Sequence, residues 1–166
     1  GLLSAYVITR QHFAGRRAID IEGLGAKQVE MFFNDATLPV KTPADIFTLS
    51  ARDAANPLQK LRNRDGFGEV SATKLFAAIE AKRTIPLDRL IFSLGIRHVG
   101  ESTAKVLAQW FGALDRIRHM PWPLLKLLPD IGGEVARSID HFFAQPGNQQ
   151  ALDDLLVRGV VLSDEH

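Results

Sequence analysis

No cysteine occurs in the sequence, which excludes disulfides and every thiolate-ligated metal and fits a reducing compartment. The five histidines, at 12, 98, 119, 141 and 166, never fall three or four apart on one helix, so a local histidine metal motif is missing too. No run of eighteen apolar residues is present, and the apolar opening Gly1-Leu2-Leu3-Ser4-Ala5-Tyr6-Val7-Ile8 is short and without a basic leader. Neither a membrane span nor a signal peptide is read there, and a soluble cytoplasmic protein is the expectation. Net charge is nearly absent, +1 over 166 residues, which argues against a nucleic-acid binder that relies on bulk electrostatics.

What charge there is lies unevenly. Residues 1–138 hold 19 Lys+Arg against 14 Asp+Glu, and residues 139–166 hold one against five, giving a basic body and an acidic tail. The same mixture would keep any ordinary domain soluble. With 46% hydrophobic and 23% charged residues, the chain has the composition of a globular protein with a sizeable core.

The glycines supply an internal repeat. Four segments align on one glycine: Ile21-Glu22-Gly23-Leu24-Gly25, Arg64-Asp65-Gly66-Phe67-Gly68, Ile96-Arg97-His98-Val99-Gly100 and Leu128-Pro129-Asp130-Ile131-Gly132. An apolar residue precedes each aligned glycine, and a small or branched one follows four later: Val29, Ala72, Ala104, Ala136. Gly68, Gly100 and Gly132 are 32 apart, whereas the interval from Gly25 to Gly68 is 43 and contains an insertion. After each glycine the apolar residues follow a helical period, as in Val135-Ala136-Ile139-Phe142-Phe143. Thr42-Pro43-Ala44-Asp45 reads as a helix start, with an N-cap, proline at the first position and an acid in the first turn. Pro86 to Leu94 reads as a helix stopping at Gly95.

The fold expected is therefore all-α, with four tandem helix-hairpin-helix units centred near 21–33, 64–80, 96–111 and 128–143, arranged as two doublets in one compact domain spanning 12–166. Residues 1–11 are expected to be a leader, truncated or foreign. Residues 52–64 are read as the looser connection, Pro121 and Pro123 as one break and Pro146-Gly147-Asn148 as another. A last helix is expected over 152–157. Trp110, Phe111, Phe142 and Phe143 are expected in the core.

An apolar residue, two spacers, an apolar residue and a glycine leading into a helix aim successive backbone N–H groups outward at a helix N-terminus, which is an anion site. Glycine suits it because a Cβ would block a phosphate and because the turn can require positive φ. Leu24, Phe67, Val99 and Ile131 would pin each hairpin to its helices. Lys27, Arg64 and Arg97 supply positive charge nearby, and Ser71, Ser102 and Thr103 supply hydroxyls. Contacts of this kind fix position on a duplex without reading bases. For any single hairpin the competing reading is a plain helix-to-helix turn; four in register favour phosphate binding.

The runs His12-Phe13-Ala14-Gly15-Arg16-Arg17-Ala18-Ile19-Asp20-Ile21-Glu22-Gly23-Leu24-Gly25, Thr42-Pro43-Ala44-Asp45-Ile46-Phe47 and Leu94-Gly95-Ile96-Arg97-His98-Val99-Gly100 closely resemble the helix-hairpin-helix domain of bacterial NAD-dependent DNA ligases, over roughly residues 12–161. The resemblance implies a parent enzyme that adenylates a lysine from NAD, passes AMP to a DNA 5′ phosphate and seals the nick, with NAD, magnesium and zinc as its cofactors. This chain is expected to hold no catalytic residue, metal or cofactor of its own. The family's nucleotidyl-transfer lysine lies in Lys-x-Asp-Gly, and the nearest string here, Asn63-Arg64-Asp65-Gly66, has asparagine in its place. The family's four-cysteine zinc finger has no counterpart either. The implied partners are double-stranded, nicked DNA and the flanking domains of the same enzyme, at the nucleoid. The implied DNA contacts are Gly23, Gly25, Gly66, Gly68, Gly100 and Gly132, with Arg16, Arg17, Lys27, Arg97 and Thr103.

Two other classes stay open. A base-excision glycosylase also uses such a hairpin but needs a catalytic aspartate in a pocket for a flipped base, for which Asp140 is the nearest candidate. A protein-interaction scaffold would suit the near-neutral charge and the acidic tail.

Overall fold

Local signals set the helix ends. Thr42 is extended, Pro43 takes the first helical position, and the Asp45 carboxylate accepts the amides of Lys41 (2.8 Å) and Thr42 (3.2 Å), so a helix starts there as expected. Gly95 and Gly112 adopt φ of +69° just beyond two other helices, a left-handed stop that glycine enters without a Cβ clash. The computed structural model describes residues 10–15 and 18–165.

Among these residues the helices are α1 (Arg10–Ala14), α2 (Ala26–Phe33), α3 (Pro43–Phe47), α4 (Leu49–Ala54), α5 (Glu69–Ala81), α6 (Leu87–Ser93), α7 (Glu101–Phe111), α8 (Leu114–Arg118), α9 (Trp122–Leu125), α10 (Gly133–Ala144) and α11 (Pro146–Arg158). A 3-10 turn at Leu61–Asn63 precedes α5. The class is all-α apart from two short strands, β1 (Thr84–Ile85) and β2 (Val161–Leu162), which pair in parallel with Thr84 opposite Val161.

Packing follows the repeat. α1 packs on α2, the 3-10 turn on α5, α6 on α7 and α9 on α10, so each of the four hairpins joins two elements that touch. The last apolar helix shows why: Ala136, Ile139, Phe142 and Phe143 are all buried, one side of α10 facing inward. One continuous core runs from Phe13 to Val160. Phe13 meets Phe47 edge to face at 6.2 Å, and α11 closes the molecule against α3 and α10.

Arg83 ties the carboxyl-terminal segment down. Its guanidinium donates to the carbonyls of Arg158 (3.2 Å), Gly159 (3.0 Å) and Phe47 (3.0 Å). Gly159 is obligatory there, because a Cβ would stand 2.7 Å from the Leu155 carbonyl oxygen.

Several expectations change. The last helix starts at Pro146 and not 152, since proline at its first position begins α11 where a break was expected. The 52–64 stretch is pinned: the buried Asp53 carboxylate accepts the Leu61 amide at 2.8 Å, and Lys60 Nζ reaches the carbonyls of Asp53 and Ala54, both at 2.9 Å. Trp110 is 61% exposed and Phe111 only half-buried, because α7 presents Ala104 and Leu107 to the core. Phe142 and Phe143 are buried as expected. Most of the leader 1–11 lies outside the described residues.

Candidate nucleic-acid interface

The four hairpins share one backbone geometry. In each, an amide donates to the carbonyl three residues back: Leu24 to Ile21 (3.1 Å), Phe67 to Arg64 (3.0 Å), Val99 to Ile96 (3.0 Å) and Ile131 to Leu128 (3.2 Å). The third residue of each turn has positive φ: Gly23 (86°), Gly66 (83°), His98 (67°) and Asp130 (65°). That is the requirement of a type II turn at that place. Leu24, Val99 and Ile131 are buried beneath it. Phe67 is only half-buried and leans on Phe32, ring centroids 6.1 Å apart.

Of the two reasons expected for the glycine that follows, positive φ does not apply. Gly25, Gly68, Gly100 and Gly132 all have extended backbone, with φ between −142° and −77°, which any residue adopts. The positive φ falls two residues earlier, at Gly23, Gly66, His98 and Asp130. Nor does the fold crowd these glycines: a Cβ at Gly68, Gly100 or Gly132 would meet nothing within 4 Å, and at Gly25 only the flexible end of Gln28, at 3.2 Å. Nothing internal demands glycine at these four positions.

Each glycine is also the N-cap of a helix without a side-chain cap. The ladder of each helix begins with the amide four residues on, Val29, Ala72, Ala104 and Ala136 donating to the glycine carbonyl at 3.0 Å. The amides of the first turn therefore have no intrahelical partner, and they carry the positive end of the helix dipole. Four open helix starts with bare backbone in front of them can take anions.

The hairpins face each other in pairs. Gly23, Lys27 and Met31 line a groove shared with Gly66, Phe67, Ser71 and Lys74, which makes the first doublet. A second groove is lined by Arg97 and His98 on one side and Glu134, Arg137, Ser138 and His141 on the other, which makes the second. Lys27, Arg97, Gly23, Gly25, Gly66, Gly100 and Gly132 are exposed, and Gly68 and Thr103 are half-buried. Arg16 and Arg17 lie outside the described residues.

Arg64 is not available to a ligand. It forms a bidentate pair with Asp35, at 2.6 and 3.0 Å, and also touches Thr37, tying the long insertion to the second hairpin. Burial pushes the Asp35 carboxyl up, but hydrogen bonds from Arg64, the amides of Leu38 and Thr37 and the Thr37 hydroxyl outweigh it and hold it well below the usual carboxylate range. Arg137, which the sequence reading did not single out because it sits one turn beyond the motif, also lines the second groove.

The last two acids of the tail lie away from the third hairpin. Asp164 accepts the amide of Leu87 at 2.7 Å and Glu165 that of Leu114 at 2.9 Å, at the starts of α6 and α8. α6 runs from that end toward the third hairpin and α7 runs back from it, so these acids cap the far side. Asp140 is exposed on α10, where it lines a small open cleft with Ile117, Arg118 and Met120 that none of the four hairpins enters. No group of three metal-ligating side chains occurs among the described residues, and none of their helices is long and apolar enough to cross a membrane.

Residues 89–152 match the helix-hairpin-helix motif family. Over 93% of its length the chain is 46% identical to a DNA ligase of Stenotrophomonas maltophilia, over 92% it is 49% identical to one of Chelativorans, and over 88% it is 48% identical to one of Agrobacterium fabrum. It spans about a quarter of the length of these relatives, 25%, 23% and 22% respectively.

Proposed function

The chain is a helix-hairpin-helix segment related to bacterial DNA ligases, and from that premise we propose that it grips duplex DNA without regard to sequence, through backbone amides laid against phosphates. The observation that carries the reading is the row of four uncapped helix starts, each behind a glycine that the fold itself does not require. A bare backbone lets a phosphate come within hydrogen-bond distance of amides already aimed at it. Buried Leu24, Val99 and Ile131 fix those amides before binding, so little ordering is left to offset affinity.

In this reading the chain is the non-catalytic DNA-holding part of an NAD-dependent ligase that seals nicks in replication and repair, at the nucleoid in the cytoplasm. Adenylation from NAD, magnesium and any zinc-binding element belong to parts of such an enzyme outside the aligned segment. This chain's own residues do not fit the zinc, having no cysteine, and no chemical step is assigned to them. Flanking domains of the same enzyme would complete the grip around a nick.

Fluorescence anisotropy with nicked duplex, intact duplex and single strand across a salt series tests this. Salt-sensitive binding to both duplexes, weaker on single strand and indifferent to sequence, is expected. Absence of binding to all three at low salt refutes the reading for this chain and favours a protein-interaction scaffold.

A further inference from the structure

The fourth hairpin poses a problem for a phosphate grip: Asp130 stands at its turn and Glu134 in the first turn of its helix, two acids where an anion would sit. We propose that Arg137 solves it, as the principal side-chain phosphate contact of the second doublet, so that the groove between the third hairpin and α10 takes the DNA backbone with its cations while the Gly132 amides play the lesser part. This inference rests on the DNA-gripping reading and names the surface that reading uses on one side of the molecule.

Three observations converge on Arg137. Its guanidinium lies back along α10, with Nη2 3.7 Å from where a Cβ on Gly133 would be, as long helical side chains lean toward the N-terminus. That places a cation beside the very helix start the acids compromise. The guanidinium also lies over the Trp122 ring, 5.4 Å from its centroid, with Lys126 over the same ring at 5.3 Å, a cation–π seat that holds the group without neutralising it. Finally, Arg137 makes no ion pair among the described residues, and the acid of the groove is turned to the opposite wall, Glu134 Oε1 lying 3.2 Å from His98 Nε2.

The groove thus presents Arg97 on one wall and Arg137, Ser138 and His141 on the other, over the buried Phe142. Two arginines lining one cleft, with Ser138 beside them, suit a run of phosphodiester oxygens better than a single small anion. Trp122 is then a positioning residue, acting by fixing where Arg137 points.

The test compares the whole chain with R137A, R137K and G25D by anisotropy on one nicked duplex across a salt series, with melting curves to show that each variant is folded. R137A is expected to lower the salt slope by about 0.9 and to weaken binding about tenfold at fixed salt, while R137K keeps the slope. In a W110F background, where Trp122 is the only remaining tryptophan, its emission is expected to change on adding duplex, and R137A is expected to remove that change. Wild-type affinity and slope in R137A, with G25D weakened, would overturn the groove and leave the hairpin grip standing. Wild-type binding by both variants, or none by the parent chain, would remove the DNA reading and this inference with it.

Discussion

The two doublets close the same turn with different chemistry. At the positive-φ position the first doublet has Gly23 and Gly66 and the second has His98 and Asp130. A non-glycine residue there costs roughly 1–2 kcal/mol, yet the turn and the helix start are the same on both sides. The residue before it differs too: Glu22 and Asp65 in the first doublet, Arg97 and Pro129 in the second. In the first helical turn α2 has no acid, whereas α5, α7 and α10 have Glu69, Glu101 and Glu134. Backbone geometry has thus been held fixed while the surrounding electrostatic field varied, which is what a site built from amides permits and a site built from side chains would not.

The largest effect should come from placing an acid at one hairpin glycine of each doublet. Gly25→Asp sets a carboxylate in front of the one helix start free of acids, and is expected to weaken duplex binding by about tenfold to a hundredfold, the loss of a charge-assisted contact or two. Gly132→Asp adds to acids already present and should cost much less. Neither should lower the melting temperature, since aspartate is a better N-cap than glycine by a few tenths of a kcal/mol. Equal losses at the two sites, measured by anisotropy, would erase the proposed difference between doublets.

Next in size is a stability effect confined to the first doublet. Arg64→Ala leaves the Asp35 carboxylate without its bidentate partner and should destabilise the fold by about 2 kcal/mol. The sign of its pH dependence follows from the lowered folded pKa of Asp35. The carboxylate contributes stability that is fully present above its unfolded value, near 4, and is lost as pH falls through the folded one. Urea melts from pH 7 down to pH 3 should show that decline in the parent chain and a shallower one in Arg64→Ala; parallel curves would remove the pair from the account.

That pair also marks how far the sequence could be read. The repeat, the helices after each glycine and the Thr42 start were all legible, because each rests on local periodicity or on residues next to each other in the chain. Arg64 was misread as a ligand contact since its partner, Asp35, lies 29 residues away, and nothing local announces a tertiary ion pair. Trp110 was misplaced for a related reason. Its hydrophobicity suggested the core, but with Ala104 and Leu107 pointing inward, its phase on α7 turns it to solvent. Arg137 needed both the helix phase and the position of Trp122, which only the folded chain brings together.

A smaller set of substitutions exchanges the doublets' turn residues. Gly23→Ala and Gly66→Ala should each cost about 1 kcal/mol, because alanine is strained at that φ. Asp130→Gly should be neutral or stabilising by up to about 1 kcal/mol for the converse reason. His98→Gly separates two causes: relief of the left-handed strain raises stability, while loss of the contact with Glu134 lowers it and releases an acid into the groove. Denaturant midpoints at constant m-value read the balance. If His98→Gly gains stability and loses DNA affinity together, histidine is kept at a cost in stability for what it does to Glu134.

The finest comparison is between one cation of each doublet. Lys27 lies at the second position of α2, beside amides that already face outward, whereas Arg97 sits within its hairpin across the groove from Arg137. Each, changed to alanine, should lower the salt slope of duplex binding by about 0.9 if it neutralises one phosphate. The double change should lower it by about twice that only if the two doublets hold the backbone at the same time. A double variant with the slope of either single one would mean that this chain, alone on DNA, is held through one doublet while the other hangs free, and the pairing of hairpins would then reflect packing of the core and not a grip on both strands.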